Sequence, residues 1–142
     1  MMLFDVNVLV YAHREDTDRH PEYRQWLEAV INGDHSYGMS EHVLSGFLRI
    51  VTHPRIFTKP SPFAAALAFT EQLRIPAACT LVQPGVRHWD IFVRLCQEVG
   101  AKGNMVPDAY FAALAIESGS EWITTDRDYA RFPGLRHRHP LT

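Results

Sequence analysis

The sequence predicts an α/β fold, a single domain over residues 1–142 with helices on both faces of a central, mostly parallel sheet of four to five strands. Three observations carry this. Short apolar runs of strand length alternate with segments of helical period, the pattern of βαβ units and a parallel sheet. Caps, prolines and glycines fall between most of these segments. The length of 142 residues supports one domain with a real core and is too short for two.

In chain order, MLFDVNVLVYA opens as a short strand. Pro21 suits the first turn of a helix, and Tyr23, Trp26, Leu27, Val30 and Ile31 follow at helical spacing until Asn32-Gly33 stops it. A strand is expected around Ser36–Met39. Ser40 then caps a helix with Val43, Leu44, Phe47, Leu48 and Val51 on its apolar face, ended by Pro54. Ser61-Pro62 starts another helix reaching about Arg74. Thr80–Val82 reads as a strand, and the helix after Pro84-Gly85 carries Trp89, Phe92, Val93 and Cys96. Gly100 to Asn104 forms a loop, with Asn104 suited to cap the helix that follows. Pro107 opens that alanine-rich helix, and Gly119 closes it. Glu121–Thr124 is a strand, TTDRD leaves its end, and a last strand lies near Leu135–His137.

Ligands of such sheets bind outside the carboxyl ends of the strands. Asp5 and Asp126 fall at those ends, and Asp108 falls in the first turn of the Pro107 helix. If the first and fourth strands are neighbours, the three carboxylates meet on one rim. Three such charges stay together only if some are protonated or a cation neutralises them. Oxygen ligands without Cys or His spacing suit Mg²⁺ or Mn²⁺. Plainer roles exist for two of them: Asp108 as an acid at a helix N-terminus, and Asp126 as the cap of the turn RDYARF. Asp5, a carboxylate in an apolar run, has no evident local role, and burying it unpaired is costly. Asn7 faces the same side if the strand continues past Asp5. The Thr125 hydroxyl could orient a carboxylate.

The formal net charge of −2 excludes a broadly basic nucleic-acid binder. Basic residues cluster locally instead, as His13, Arg14, Arg19 and His20, as Arg49, His53, Arg55 and Lys59, and as Arg136–His139. These clusters suit a solvated surface or a phosphate-binding groove. No stretch has the length and apolarity of a membrane span or a signal peptide, and Cys79 and Cys96 match no metal spacing. The expectation is a cytoplasmic protein with buried thiols.

DVNVLVYAHR, HVLSGFLRIVTHPRIF, GNMVPDAYFAALAIESG and ITTDRDYARFPGLRHRHP, in this order, resemble the VapC-type PIN-domain ribonucleases, the toxins of bacterial toxin–antitoxin pairs. The resemblance implies a PIN fold and a Mg²⁺- or Mn²⁺-dependent endoribonuclease. Asp5, Asp108 and Asp126 would then hold the metal, and residues read from position and charge would serve them, Asn7 and Thr125 by orienting the site and Arg14, Arg49 or Arg55 by holding the RNA backbone. It also implies a VapB-type antitoxin partner and homodimers. An apolar groove between the 40–51 and 61–74 helices would suit an amphipathic partner helix.

The sequence departs from the family where many members carry a Glu in the second helix of this region, because that position is Gly46. Glu41, five residues earlier, is the only acid in that segment and is the candidate fourth catalytic acid. It cannot occupy the same spot, being more than one helical turn away, and it also suits a first-turn acid. Gly46 keeps open a degenerate PIN fold that binds protein without cleaving RNA. A haloacid-dehalogenase-like phosphohydrolase is the other alternative, and it would want a second Asp where Asn7 stands.

Overall fold

The computed structural model describes residues 1–142. Five short strands, β1 (Met2–Phe4), β2 (Tyr37–Met39), β3 (Cys79–Leu81), β4 (Glu121–Ile123) and β5 (His137–Arg138), form one sheet in the order β3-β2-β1-β4-β5. Every pairing is parallel, so the sheet is wholly rather than mostly so. The helices are α1 (Val6–His13), α2 (His20–Ile31), α3 (Glu41–Val51), α4 (Phe63–Arg74), α5 (His88–Val99) and α6 (Met105–Ser118).

Right-handed crossovers carry α1 to α4 over one face as the chain steps from β1 to β3. The return to β4, on the other side of β1, carries α5 and α6 over the opposite face. Strand order therefore reverses between β1 and β4, where Leu3 pairs with Trp122 and Phe4 with Ile123. A crevice forms at such a switch point, beyond the carboxyl ends of the two strands. Leu3, Phe4, Trp122 and Ile123 are fully buried beneath it.

The main departure from the sequence expectation is at the start. The strand stops at Phe4, and VNVLVYAH is helical. Its β-branched residues favour a strand locally. Context overrides that preference: Val8, Leu9, Val10 and Ala12 are all buried, and Asp5 caps the helix with Oδ1 accepting from Val6 N at 2.7 Å. Asp5 thus has a local role after all.

Smaller shifts follow the same logic. α6 begins at Met105, two residues before Pro107, and Asn104 makes no side-chain cap bond. Gly119 closes α6 at φ 67°, a left-handed conformation that glycine adopts without strain. Ser40 caps α3 as expected, its Oγ accepting from Val43 N at 3.4 Å. Ser61 does not cap α4; its hydroxyl meets His13 and Arg14 instead. β3 and β5 lie one or two residues away from their expected positions. Both cysteines are free and half-buried.

Candidate active site

Asp5, Asp108 and Asp126 line one cleft of about 710 Å³ at the switch point, floored by Val6 and Val10. The adjacency of β1 and β4 assembles it. Asp5 leaves β1 and Asp126 leaves β4, while α6 brings Asp108 in from the far face.

Asp5 is 6% exposed and held on both oxygens. Oδ1 takes the Val6 N–H, and Oδ2 accepts from Thr124 Oγ1 at 2.7 Å and Asn7 Nδ2 at 3.2 Å. Burial pushes its pKa up to about 6; the Thr124 and Val6 hydrogen bonds oppose this, and the charges of Asp108 and Asp126 add to it. Asp108 is half-buried and also raised, first by burial; the Tyr129 hydroxyl, donating to its Oδ1 at 3.2 Å, counters that rise. Tyr129 is 2% exposed. Burial and the three nearby carboxylates push its phenol far above the usual range, so it stays a proton donor. Asp126 caps the short 3-10 helix Arg127–Arg131, accepting from Asp128 N at 2.9 Å.

Asn7 lies on the first turn of α1 rather than on a continued strand, yet it still reaches the rim. Its amide donates to Asp5, and its Oδ1 accepts from Thr125 N at 3.2 Å, tying the β1 and β4 corners together. Thr125 contributes that backbone N–H; the orienting hydroxyl belongs to Thr124, which donates to Asp5 and accepts from Asp126 N at 3.0 Å. The available signal was position: Thr124 ends the strand expected over Glu121–Thr124 and so falls at the carboxyl edge, where such sheets bind ligands. The bond from Tyr129 to Asp108 had no signal in the sequence.

Other expected residues stand elsewhere. Glu41 does not join the acids: its side chain is 56% exposed and turns toward Arg74 Nη1, 3.9 Å away. Arg14 is buried in a structural network, paired with Asp16, donating to Lys59 O at 2.8 Å and lying over the Phe57 ring at 4.1 Å. It is not free to hold RNA. Arg55 is exposed and outside the cleft lining, whereas Arg49 lines the cleft. At Gly46 a Cβ would stand 3.1 Å from Val6 Cγ2, so the close crossing of α1 and α3 accounts for the missing side chain. The groove beside α4 opens against α2 rather than α3, and it is mixed rather than apolar: Leu27, Ile31, Phe69 and Leu73 share it with Arg24, Glu28 and Gln72.

None of the three rim carboxylates has an ion-pair partner within the chain. No three His, Cys, Asp or Glu side chains stand close enough to enclose an ion by themselves. The rim is an open, all-oxygen donor set with uncompensated negative charge. It suits a hard cation such as Mg²⁺, which keeps several waters and takes one or two carboxylates together with substrate phosphate.

The description "PIN domain" matches residues 2–135. VapC ribonuclease Mb2897 of Mycobacterium bovis is 49% identical over 142 residues, covering 99% of this chain and 96% of the relative. Ribonuclease VapC25 of Mycobacterium tuberculosis is 39% identical over 140 residues, covering 99% of each. Among solved structures, VapBC2 from Rickettsia felis bound to a promoter DNA fragment superposes with a TM-score of 0.70 at 18% identity, covering 97% of each chain. Mycobacterium tuberculosis VapC20, a Sarcin-Ricin loop cleaving toxin, gives 0.65 at 15% identity, covering 96% of this chain and 99% of that one. These two share the fold. The match removes the phosphohydrolase alternative: the chain belongs to the PIN-domain family and, within it, to the VapC ribonucleases.

Proposed function

We propose that this chain is a Mg²⁺- or Mn²⁺-dependent endoribonuclease, the toxin of a toxin–antitoxin pair, which hydrolyses RNA phosphodiester bonds at the switch-point cleft. The observation that carries this is the convergence of Asp5, Asp108 and Asp126, brought from three elements to one rim with none of them in an ion pair. A divalent cation bound there would supply Lewis acidity toward a phosphate and lower the pKa of a water.

The chain's own residues prepare the site. Thr124 and Asn7 fix the Asp5 carboxylate, and the Val6 N–H holds its other oxygen. Tyr129 holds Asp108 Oδ1 and leaves the second oxygen unengaged. Asp126 is anchored through its backbone N–H to Thr124, so one hydroxyl sets the spacing of two acids. Such outer partners typically matter by about 10- to 100-fold.

The protein partners in this reading are a VapB-type antitoxin and a second copy of the chain. An amphipathic antitoxin helix with complementary charge would fill the groove between α2 and α4. The test is cleavage of cellular RNA by the purified chain in Mg²⁺ or Mn²⁺, with EDTA as control and RNA ends mapped. Metal-dependent cleavage lost in EDTA is expected. Antitoxin binding with no cleavage and no Mn²⁺ binding at millimolar concentrations would favour the degenerate binding module.

A further inference from the structure

The cleft has two unlike walls. One carries the three carboxylates. The other is α3, whose cleft-lining residues His42, Ser45, Gly46, Arg49 and Ile50 follow at i, i+3, i+4, i+7 and i+8 and include no acid. Each feature of this second wall points the same way. His42 is exposed, yet its ring is set by packing, 5.1 Å from the Phe111 ring and 5.4 Å from the Tyr110 ring. Hydrogen bonds inside the chain occupy the rings of His13, His20, His53, His88 and His139, and His42 is not among them. None of the eight ion pairs uses Arg49. Between the two residues, Gly46 lines the cleft without a side chain, with Val6 packed closely against it.

We propose that α3 is a phosphate-holding wall, in which His42 and Arg49 donate to backbone phosphates of the RNA strand on either side of Gly46. The claim rests on the ribonuclease reading and deepens it. Seven residues of helix separate the two donors by about 10 Å, so they engage different phosphates. The need for such a wall is electrostatic. Three carboxylates repel a polyanion, and a strand entering the cleft requires opposite charge across from them. The part of α3 that lines the cleft carries two donors and no acid, so α3 serves the substrate and the opposite rim serves the metal.

The experiment measures binding of a short random-sequence single-stranded RNA to the full chain by fluorescence anisotropy in EDTA, where the RNA stays intact, across a salt series. Cleavage kinetics in Mn²⁺ follow, and melting temperatures confirm folding. His42→Ala and Arg49→Ala should each weaken binding about three- to fivefold. Arg49→Ala should flatten the salt slope by about 0.7. Both should raise KM more than they lower kcat. His42→Lys should restore affinity, and His42→Phe should not. The wall is wrong if either alanine variant keeps wild-type affinity, or if His42→Phe rather than His42→Lys restores it, which would mean base stacking. Wild-type chain that neither binds nor cleaves RNA overturns the ribonuclease reading itself; a cleaving wild type with unaffected variants overturns only the wall.

Discussion

Two corners of the sheet reach its carboxyl edge in the same way and end differently. At the β1–α1 corner Asp5 caps the helix, with Oδ1 2.7 Å from Val6 N. At the β2–α3 corner Ser40 caps the helix, with Oγ 3.4 Å from Val43 N. Both capping residues are buried. The inner corner puts a carboxylate into the cleft beside β4, while the outer corner uses a neutral hydroxyl. The acid that follows it, Glu41, turns out to Arg74. The difference teaches that a strand-end position alone does not make an acid part of a site. The acid must stand at the switch point and be held there by the neighbouring strand, as Thr124 holds Asp5. It also shows that capping a helix and lining the cleft are not rival roles, since Asp5 and Asp126 do both.

The largest effect that tests this contrast is Asp5→Asn. Asn remains a good cap, so the fold should survive while metal-dependent cleavage falls by more than about 100-fold in single-turnover assays. The same substitution has a pH signature in the metal-free protein. The folded state binds the Asp5 proton more tightly than the unfolded chain does, with a pKa of about 6 against 3.8. Wild-type stability therefore falls as pH rises between those values. In EDTA, Asp5→Asn should be the more stable protein at pH 8, by at most about 3 kcal/mol, with the difference vanishing below about pH 4. Chemical denaturation at the two pH values checks it.

Next in size is Thr124→Val, which removes the link between the β1 and β4 corners. Cleavage should fall about 10- to 100-fold, with about 1–3 kcal/mol of stability lost by leaving Asp5 and Asp126 N–H short of partners. Tyr129→Phe should cost about tenfold in rate through Asp108 alone. Gly46→Glu would sharpen the comparison from the outer side: it should not raise the rate, and it should destabilise by about 1 kcal/mol as the new Cβ presses on Val6. Glu41→Gln is the smallest, with unchanged cleavage and a stability shift under about 0.5 kcal/mol for an exposed pair.

The sequence made the βαβ alternation, the β1–β4 adjacency as a condition, and the three aspartates legible, because strand ends and switch points follow from topology. It did not reveal that VNVLVYAH is helical: the β-branched residues argued for a strand, and burial against neighbouring helices decided otherwise. It suggested Arg14 for RNA because charge clusters are visible in sequence, while the network of Asp16, Lys59, Ser61 and Phe57 that uses it is not. It also put Glu41 forward as an acid, since residue type shows in a sequence and the direction of a side chain at a corner does not.

The most direct test of the account compares wild type, Asp5→Asn and Glu41→Gln in single-turnover cleavage, in saturating Mn²⁺, of an RNA that the wild-type chain cuts. Equal rates are expected for wild type and Glu41→Gln, with no measurable cleavage by Asp5→Asn. Full activity of Asp5→Asn, or loss of activity in Glu41→Gln alone, would contradict it and place the chemistry outside the β1–β4 cleft.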